Sequence, residues 1–455
     1  MKKNLVFVWS STLIVITISV FFPTFFNDFQ RSWDDQWMLL EQPYILDFSW
    51  MDLVYHFGSF YHGQYSPVNT VFYLIIYSLF GFNAAAFHAA CLLIHTINVL
   101  LVSFVTRVII EKIKPHWNER RIMVYAGLVS LLFAIHPLQV ESVAWISASK
   151  IVLYAFFSLM GLLFYLRYLQ TTKISWYLAV LLCYLLAFGT KEQAIIFPLN
   201  LILLDWVLGR YRPAPFNWRH ITKDVFIEKM PFFLLAAAMW YFSVQNNLGN
   251  LDAAGAYPLH QRLVFGAHSL VQYIFRFLAP VKLYYWYFYP MTVGGELPLS
   301  YWAYPLLAGI VLVFAWSLWK KRNHLPVFGF AFFTVNLLLA LHIVPMPRAT
   351  ITADRYMYLS IPGLALACIW LIGYLYLKFR GARKGVLLAG CMLFVAFGIQ
   401  SFTRTVDWRN SEALRRNIQE IVEKRKKEQQ AVANNPLEDV PKQEGVIQKK
   451  GGMEK

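Results

Sequence analysis

Long apolar blocks run through this chain of 455 residues and limit what it can fold into. The blocks are close to the roughly 20 residues that an α-helix needs to cross a bilayer, and clusters of basic or aromatic residues separate them. Only 15% of the residues are charged, against about 25% in soluble domains. The sequence therefore predicts an all-α, polytopic bundle of transmembrane helices.

We expect about eleven spans. The first follows Met1-Lys2-Lys3 and resembles a signal peptide, but no small-residue cleavage site follows it, so we interpret it as an uncleaved helix with a cytoplasmic N-terminus. An odd number of spans places the C-terminus on the outer side. The predicted spans cover residues 5–22, 87–110, 122–136, 152–168, 176–189, 194–208, 231–245, 301–319, 326–344, 357–377 and 385–402.

The positive charge of the chain fits this topology. The formal net charge is +16, and the Lys and Arg residues concentrate in short connectors that the positive-inside rule assigns to the cytoplasm. These connectors are residues 112–121, 210–229, 320–322 and 378–384. Because the charge is distributed in this way, the sequence argues against nucleic acid as a partner.

Two further apolar stretches, residues 68–82 and 263–278, are short for a span and interrupted by polar residues. If either crossed the membrane, a basic connector would move to the outer side, against the charge rule. We therefore predict that both are interfacial or re-entrant helices on the outer side. Re-entrant backbone needs protein or a water-filled cavity around it, so we expect a cavity on that side.

The composition changes near residue 404. Residues 1–403 form the predicted transmembrane domain, and residues 404–455 form a charged tail that we expect to be helical to about Gln430 and disordered beyond it. All four cysteines lie inside apolar blocks. The sequence thus predicts neither a disulfide framework nor a metal cluster.

The first outer loop carries two adjacent carboxylates, Asp34 and Asp35, between Trp33 and Trp37. An ionisable group at the depth of an aromatic belt is a functional candidate, because its desolvation is costly unless something compensates. One carboxylate could take the proton of an attacking hydroxyl while the other orients the acceptor or holds a divalent cation. The alternative is a solvated pair at a helix end, and the pair alone favours neither.

Two further outer turns carry charged residues. One places His136, Glu141 and Lys150 at the mouth of a helix pair, although a lone His or Glu there is more often a structural hydrogen-bonding group than a catalyst. Lys191 and Glu192 form most of the next turn. They are either an interfacial ion pair, worth only about 0 to 1 kcal/mol, or a turn that holds Lys191 against a lipid phosphate.

A later outer segment, residues 345–358, brings Arg348, Asp354, Arg355 and Tyr356 to the start of a membrane helix. Arginine offers planar, bidentate donors to phosphate oxygens, and positive charge on this side does not serve as a topology signal. The alternative for Arg355 is a terminal arginine that extends to the interface. Cations for a phosphate leaving group and a base for a hydroxyl suit glycosyl transfer, but they do not exclude a transporter.

Several short motifs follow one another along the chain. They are Asp34-Asp35, Tyr65-Ser66-Pro67, Gly81-Phe82-Asn83 with Phe87-His88, the run from His136 to Trp145, Thr190-Lys191-Glu192-Gln193, the run from Ala353 to Leu359, and Trp408-Arg409-Asn410-Ser411-Glu412. In this order they resemble the membrane part of the transmembrane and tetratricopeptide-repeat protein O-mannosyltransferases and their bacterial relatives. The resemblance runs from about Leu5 to about Glu420.

The resemblance implies a C-type glycosyltransferase, whose fold is a helical membrane bundle with an active site on the lumenal or periplasmic side. It also implies a polyprenyl- or dolichyl-phosphate sugar as donor, often of mannose, and a Ser or Thr hydroxyl of a protein as acceptor. A single displacement would invert the anomeric carbon.

The resemblance also assigns roles to residues. Asp34 and Asp35 would supply the catalytic base and its helper, with Asp34 as the preferred base. The residues facing the carrier phosphate would be Lys150, Lys191, Arg355 and Arg348. Supporting roles would fall to His136, Glu141, Glu192, Asp354 and Tyr356. No metal ligand is assigned.

The chain departs from the family in two places. The bacterial members commonly have Arg-Lys-Asp where this chain has Ser149-Lys150-Ile151, so one cation and one carboxylate are missing. Relatives continue into tetratricopeptide repeats after the Trp408 motif, whereas this chain continues into a short charged tail. Any recognition of the acceptor, protein or glycan, that the repeats supply would then be absent or provided by a separate partner.

Two other classes of function stay open at this point. A lipid-linked sugar transporter would show broken helices at the midplane and pseudo-symmetric halves, and the sequence shows neither. A catalytically silent membrane scaffold is the third reading, because perturbed ionisable groups can be structural. The short N-terminus and the missing repeats favour a bacterial inner membrane, with the site facing the periplasm, over an endoplasmic reticulum.

Overall fold

The computed structural model describes residues 2–46, 48–210, 223–246, 257–281, 283–343 and 350–433, and these are predominantly helical. The helices are α1 (Lys2–Phe21), α2 (Pro43–Leu46), α3 (Trp50–Phe57), α4 (Pro67–Phe80), α5 (Ala84–Ile113), α6 (Glu119–Ile135), α7 (Val140–Ala144), α8 (Ser149–Thr171), α9 (Ile174–Phe188), α10 (Phe197–Val207), α11 (Lys223–Ile227), α12 (Met230–Gln245), α13 (Leu259–Leu278), α14 (Ala303–Lys320), α15 (His324–Leu337), α16 (Ile361–Lys378), α17 (Arg383–Arg404) and α18 (Ser411–Ala433). Short 3₁₀ turns link several of them, including Pro137–Gln139, Glu192–Ile196, Asp354–Met357 and Thr405–Trp408.

Within the described residues, eight helical segments are long and apolar enough to cross a membrane, or nine if α6 and the bent segment after it count as one span. The bend of 53° follows Ile135, where a proline begins the next turn. A helix is present at every predicted span. Helices α9 and α10, of 15 and 11 residues, are shorter and account for the difference between nine segments and the eleven predicted spans. The polytopic all-α bundle is thus confirmed.

The two stretches predicted to lie at the interface form α4 and α13, and neither meets the length and hydropathy of a span. Helix α4 begins with Pro67, whose fixed φ suits a first helical turn, and ends at Gly81 with a φ of +59°. Helix α13 carries Arg262 and Arg276 among its apolar residues. The side of the membrane on which they lie stays a prediction.

The centre of the bundle consists of α5, α6, α8 and α16. Helix α5 packs against α6 and α8, and α16 packs against α6 and α15. The Tyr358 hydroxyl, just before α16, lies 2.7 Å from His95 Nδ1 and accepts a hydrogen bond from Asn98 Nδ2 at 3.1 Å. Asn98 also donates to the Val152 carbonyl of α8 at 2.9 Å. Buried polar groups require such partners, so this network fixes the start of α16 against α5 and α8.

The first residues after position 404 pack onto the membrane helices. The Trp408 side chain is buried and stacks on Trp145, with ring centroids 5.5 Å apart. Its carbonyl accepts a hydrogen bond from Gln30 Nε2 at 2.7 Å. The predicted helical part of the tail is present as α18. The predicted disordered part, from residue 434 onwards, lies outside the described residues.

Helices α15 and α16 cross at two glycines. A Cβ atom at Gly329 would lie 2.4 Å from the Gly363 carbonyl oxygen, and a Cβ atom at Gly363 would lie 2.4 Å from the Gly329 carbonyl oxygen. Both distances are too short for a real contact, and both obstacles are backbone atoms. The close approach of the two helices therefore depends on the missing side chains, as is common between helices in membranes.

We predict that Gly329→Ala destabilises the protein, because the new methyl group must push the two helices apart. Overpacking of this kind costs about 1–3 kcal/mol, which thermal unfolding of the purified protein in detergent would detect. The matched control is Gly390→Ala in α17, where a Cβ atom would meet nothing within 4 Å. Equal unfolding temperatures for the two variants would contradict the close crossing.

Candidate active site

Asp34 and Asp35 lie in the loop that follows α1, but their environments differ. The Asp34 carboxylate is half-buried and accepts a hydrogen bond from Trp37 Nε1 at 3.3 Å. Asp35 has no exposed surface. One of its oxygens accepts from the Gln30 backbone N–H at 2.8 Å, and the other accepts from the backbone N–H of Ser147 at 2.9 Å and from the Ser147 hydroxyl. Asp35 thus joins the first outer loop to the second.

Burial dominates the ionisation of Asp35. It raises the pKa of this carboxyl from 3.8 to about 6, although the hydrogen bonds from Ser147 and Gln30 favour the ionised form. A carboxylate whose oxygens are occupied by three donors has little capacity left for a substrate hydroxyl. Asp34, with one long hydrogen bond and partial exposure, is the carboxylate that a ligand can reach.

Lys150 lies at the start of α8 and is only 5% exposed. Its ammonium donates to Gln64 Oε1 at 2.7 Å and lies 3.3 Å from the Met38 sulfur. Among the described residues, Lys150 takes part in none of the ion pairs. A buried ammonium without a directly bonded carboxylate is costly, and an anionic ligand would relieve that cost.

Lys191 and Glu192 form an ion pair in the turn before α10, with Nζ and Oε1 3.2 Å apart. The two side chains are 12% and 28% exposed, so the pair is within reach of a ligand. Lys150 interacts electrostatically with Lys191, Asp34, Glu192 and Arg355, although these residues come from four different segments. We call Asp34, Lys150, Lys191 and Arg355 the charged cluster.

Arg355 is held by Glu141 of α7. One guanidinium nitrogen lies 2.5 Å from Glu141 Oε1, and the Arg355 backbone N–H donates to Glu141 Oε2 at 2.9 Å. Glu141 is buried, whereas the Arg355 side chain is 23% exposed. The guanidinium carbon also lies 5.7 Å from the Trp145 ring centroid and 5.2 Å from that of Tyr356. The carboxylate and the rings therefore orient a cation that keeps donors for a ligand.

Asp354, next to Arg355, has a structural partner instead. Its carboxylate is fully buried, lies 2.8 Å from an Arg404 guanidinium nitrogen and accepts a hydrogen bond from the Tyr287 hydroxyl at 2.9 Å. Arg404 also donates to the Pro137 carbonyl at 2.8 Å. Asp354 thus supports the site by fixing its own segment to the end of α17.

His136 also has a structural role. Its Nδ1 accepts a hydrogen bond from the Leu138 backbone N–H at 3.2 Å, so Nε2 carries the proton and donates to the Phe277 carbonyl at 2.9 Å. The imidazole stacks on the Phe277 ring at 4.8 Å and has no exposed surface. His136 therefore joins the end of α6 to the end of α13 and is closed to a ligand.

Several residues of the site were not singled out from the sequence. Tyr285 lies in an aromatic run after α13, with its ring centroid 4.9 Å from that of Trp33 and 5.8 Å from that of Trp145. Burial raises the pKa of its hydroxyl, which interacts electrostatically with Arg355 and Asp34. Ser147, Gln64 and Arg404 were missed as well. Of these residues, only Tyr285 belongs to a recognisable sequence pattern, the aromatic run. Such runs are also typical of membrane interfaces, so the pattern does not indicate a functional site.

Two expectations are left untested by the described residues. Arg348, predicted to face the carrier phosphate, lies in the segment 344–349, outside them. In the described part of the chain there is no group of three or more His, Cys, Asp or Glu residues that could hold a metal ion. The divalent cation considered as a helper of the acidic pair stays a prediction, because such an ion can be held by one or two carboxylates together with a substrate phosphate.

The raised pKa of Asp35 predicts a pH dependence of stability. Because the folded protein binds the Asp35 proton more tightly than the unfolded chain, this group lowers the free energy of unfolding as the pH rises from about 4 to about 6. Asp35→Asn removes the titration. In detergent we expect the unfolding temperature of the variant, relative to that of the unsubstituted protein, to increase across this pH range. The control is Asp52→Asn at an exposed position of α3, and a pH-independent difference for Asp35→Asn would contradict the prediction.

Comparison with known proteins adds one relative by sequence. The human protein O-mannosyl-transferase TMTC4 is 27% identical over 182 residues, which are 37% of this chain and 24% of the human protein. The match thus spans about a quarter of that curated relative. No family model matches the chain.

Among solved structures, the apo oligosaccharyltransferase of Archaeoglobus fulgidus matches with a TM-score of 0.40 and 13% sequence identity, over 87% of this chain and 56% of that chain. The match to TMTC4 agrees with the resemblance that the order of the motifs predicted. By sequence, this chain is similar to the membrane part of the transmembrane and tetratricopeptide-repeat O-mannosyltransferase family.

Proposed function

We propose that this protein is a membrane glycosyltransferase that moves a mannose-like sugar from a polyprenyl-phosphate carrier to a hydroxyl acceptor on the non-cytoplasmic face. The acceptor is a Ser or Thr of a protein, and a glycan is the alternative. The carrier lipid is the obligatory partner, and a separate protein that recognises the acceptor is a further proposed partner. A bacterial inner membrane with a periplasmic site is the proposed location.

The observation that carries the proposal is the contrast between two buried lysines. Lys229 is 3% exposed and lies 2.5 Å from Asp205 and 2.9 Å from Glu228, so its charge is compensated within the protein. Lys150 is as deeply buried but has only Gln64 and Met38 as close partners. This supports a site that is completed by an anion, and a lipid phosphate has the required charge.

The charged cluster supports a single displacement. Asp34 accepts the proton of the acceptor hydroxyl, whose oxygen forms a bond to the anomeric carbon of the donor. The bond from that carbon to the phosphate oxygen breaks, and its electron pair leaves with the phosphate. Lys150, Lys191 and Arg355 stabilise the negative charge of the departing phosphate. The sugar is therefore transferred with inversion, and the other product is the free polyprenyl phosphate.

The buried carboxylates have positioning roles in this scheme. Asp35 holds the loop that carries Asp34 by accepting hydrogen bonds from Gln30 and Ser147. Glu141 orients Arg355 through both of its oxygens. This division of roles supports Asp34 as the base. Asp34 is partly exposed and has free hydrogen-bonding capacity, whereas the adjacent Asp35 has neither.

Asp34→Asn should abolish transfer without unfolding the protein. We expect the rate of sugar loss from polyprenyl-phosphate mannose in proteoliposomes to fall by about 10²–10⁴-fold, which is typical for loss of a general base. The unfolding temperature should not change, because Asp34 makes only one long hydrogen bond. Asp52→Asn, at an exposed position, serves as the control with full activity.

Two outcomes would contradict this assignment. An Asp34→Asn variant with undiminished transfer would remove Asp34 from the reaction. Movement of the intact donor across the bilayer, without release of polyprenyl phosphate, would identify a transporter. If the unsubstituted protein neither consumes nor moves the donor, the membrane scaffold is the better description.

Arg355→Ala should weaken use of the donor. Hydrogen bonds to a charged group contribute about 1.5–3 kcal/mol, so we expect KM for the polyprenyl-phosphate sugar to rise by about 10- to 100-fold. Arg355→Lys keeps the positive charge beside Glu141 but loses the planar guanidinium group and its paired donors. It should give an intermediate KM. An unchanged KM in Arg355→Ala would contradict contact between Arg355 and the phosphate.

A further inference from the structure

A tight turn at Tyr61–Gln64 contacts Lys150 of the charged cluster directly and reaches Asp34 through Trp37. The backbone N–H of Tyr61 donates to the Gln64 carbonyl, and the N–H of Gln64 donates to the Tyr61 carbonyl, both at 2.9 Å. The two central residues have positive φ, +48° at His62 and +72° at Gly63. This is the pattern of a two-residue type I′ hairpin turn, in which the directions of the flanking side chains are fixed. We call these four residues the hairpin turn.

The first contact is with Trp37, which is hydrogen-bonded to Asp34. The His62 ring lies against the Trp37 ring, with centroids 4.9 Å apart and an interplanar angle of 36°. The Tyr61 ring lies 6.1 Å from the same indole. Trp37 donates its Nε1–H to Asp34. The aromatic surface of His62 and Trp37 is therefore next to the proposed base.

The second contact is a hydrogen bond with Lys150. Gln64 Oε1 accepts the hydrogen bond from the buried Lys150 ammonium at 2.7 Å. Because this bond occupies the amide oxygen, the Gln64 NH₂ group remains as a donor. The hairpin turn thus joins the proposed base at one end and the proposed phosphate site at the other.

Packing behind the hairpin turn makes this surface rigid. Tyr44 stacks on His56 at 4.3 Å and meets the Tyr61 ring edge-on at 6.0 Å. His56 is buried and lies 3.1 Å from the Thr70 hydroxyl of α4. His62 itself is exposed, and Trp37 and Gln64 are half-buried. Positive φ is uncommon at a residue with a Cβ atom, although His is enriched there, and in this conformation the His62 ring lies against Trp37.

We propose that the hairpin turn is the subsite that recognises the transferred hexose, an inference that rests on the proposed glycosyl transfer. The hexose must lie between the departing phosphate and the base, and the hairpin turn contacts residues of both. The C–H face of the sugar ring packs on His62 and Trp37, and the Gln64 amide hydrogen-bonds to a sugar hydroxyl. The hairpin turn would then select which hexose is transferred.

The test compares two donors, polyprenyl-phosphate mannose and polyprenyl-phosphate glucose, in proteoliposomes. His62→Asn removes the ring but suits left-handed backbone, since Asn tolerates positive φ. Gln64→Met keeps a similar length and the backbone hydrogen bonds, and it removes the amide. We expect each variant to lower transfer of the preferred sugar at least tenfold and to change the ratio of the two rates. The control is His260→Asn, at an exposed histidine of α13, which should change neither.

The outcomes separate this inference from the proposed function. If the unsubstituted protein transfers neither sugar, the proposed function fails. If it transfers one and both variants keep its rate and its sugar ratio, the sugar subsite is wrong while the transferase stands. A fall in rate with an unchanged ratio would show that the hairpin turn only positions Lys150 or Trp37, and it would overturn the recognition role.

Discussion

Two adjacent residues of opposite charge, Asp354 and Arg355, are each paired to a different part of the chain, and the candidate site depends on these two pairs. Asp354 is bound by Arg404 at the end of α17, and Arg355 is bound by Glu141 of α7. Both carboxylates are buried, where an unpaired charge would be strongly destabilising. Segments that are distant in sequence are thereby held together ahead of α16.

The cost of burying an unpaired charge also divides the charged side chains of the site into those with a structural role and those available to a ligand. Asp35, Glu141 and Asp354 are buried, and each has its oxygens occupied by donors of the protein. Asp34 and Arg355 are partly exposed and keep unused hydrogen-bonding capacity. Lys150 is buried without a carboxylate bonded to it directly. Under the proposed function, Lys150 and Arg355 bind the phosphate beside Asp34, and the buried carboxylates fix the positions of these groups.

The sequence was sufficient to predict the membrane class and the positions of the helices, because spans and aromatic belts are local patterns of about 20 residues. It also singled out most of the charged side chains of the candidate site. It could not distinguish Asp34 from Asp35. Burial of Asp35 depends on Ser147, which is 112 residues away in the chain. Glu141 and Arg355 were both singled out, but their pairing joins positions 214 residues apart. Arg404 was missed because its pairing with Asp354 joins positions 50 residues apart.

A structure of the purified protein with polyprenyl-phosphate mannose bound, determined by cryo-electron microscopy in a lipid nanodisc, would show whether the charged cluster binds the carrier phosphate. We expect the phosphate to lie within hydrogen-bonding distance of Arg355 and Lys150, with the mannose directed towards Asp34. A phosphate bound beside Arg210 and Lys229, near the far end of α8, would contradict it.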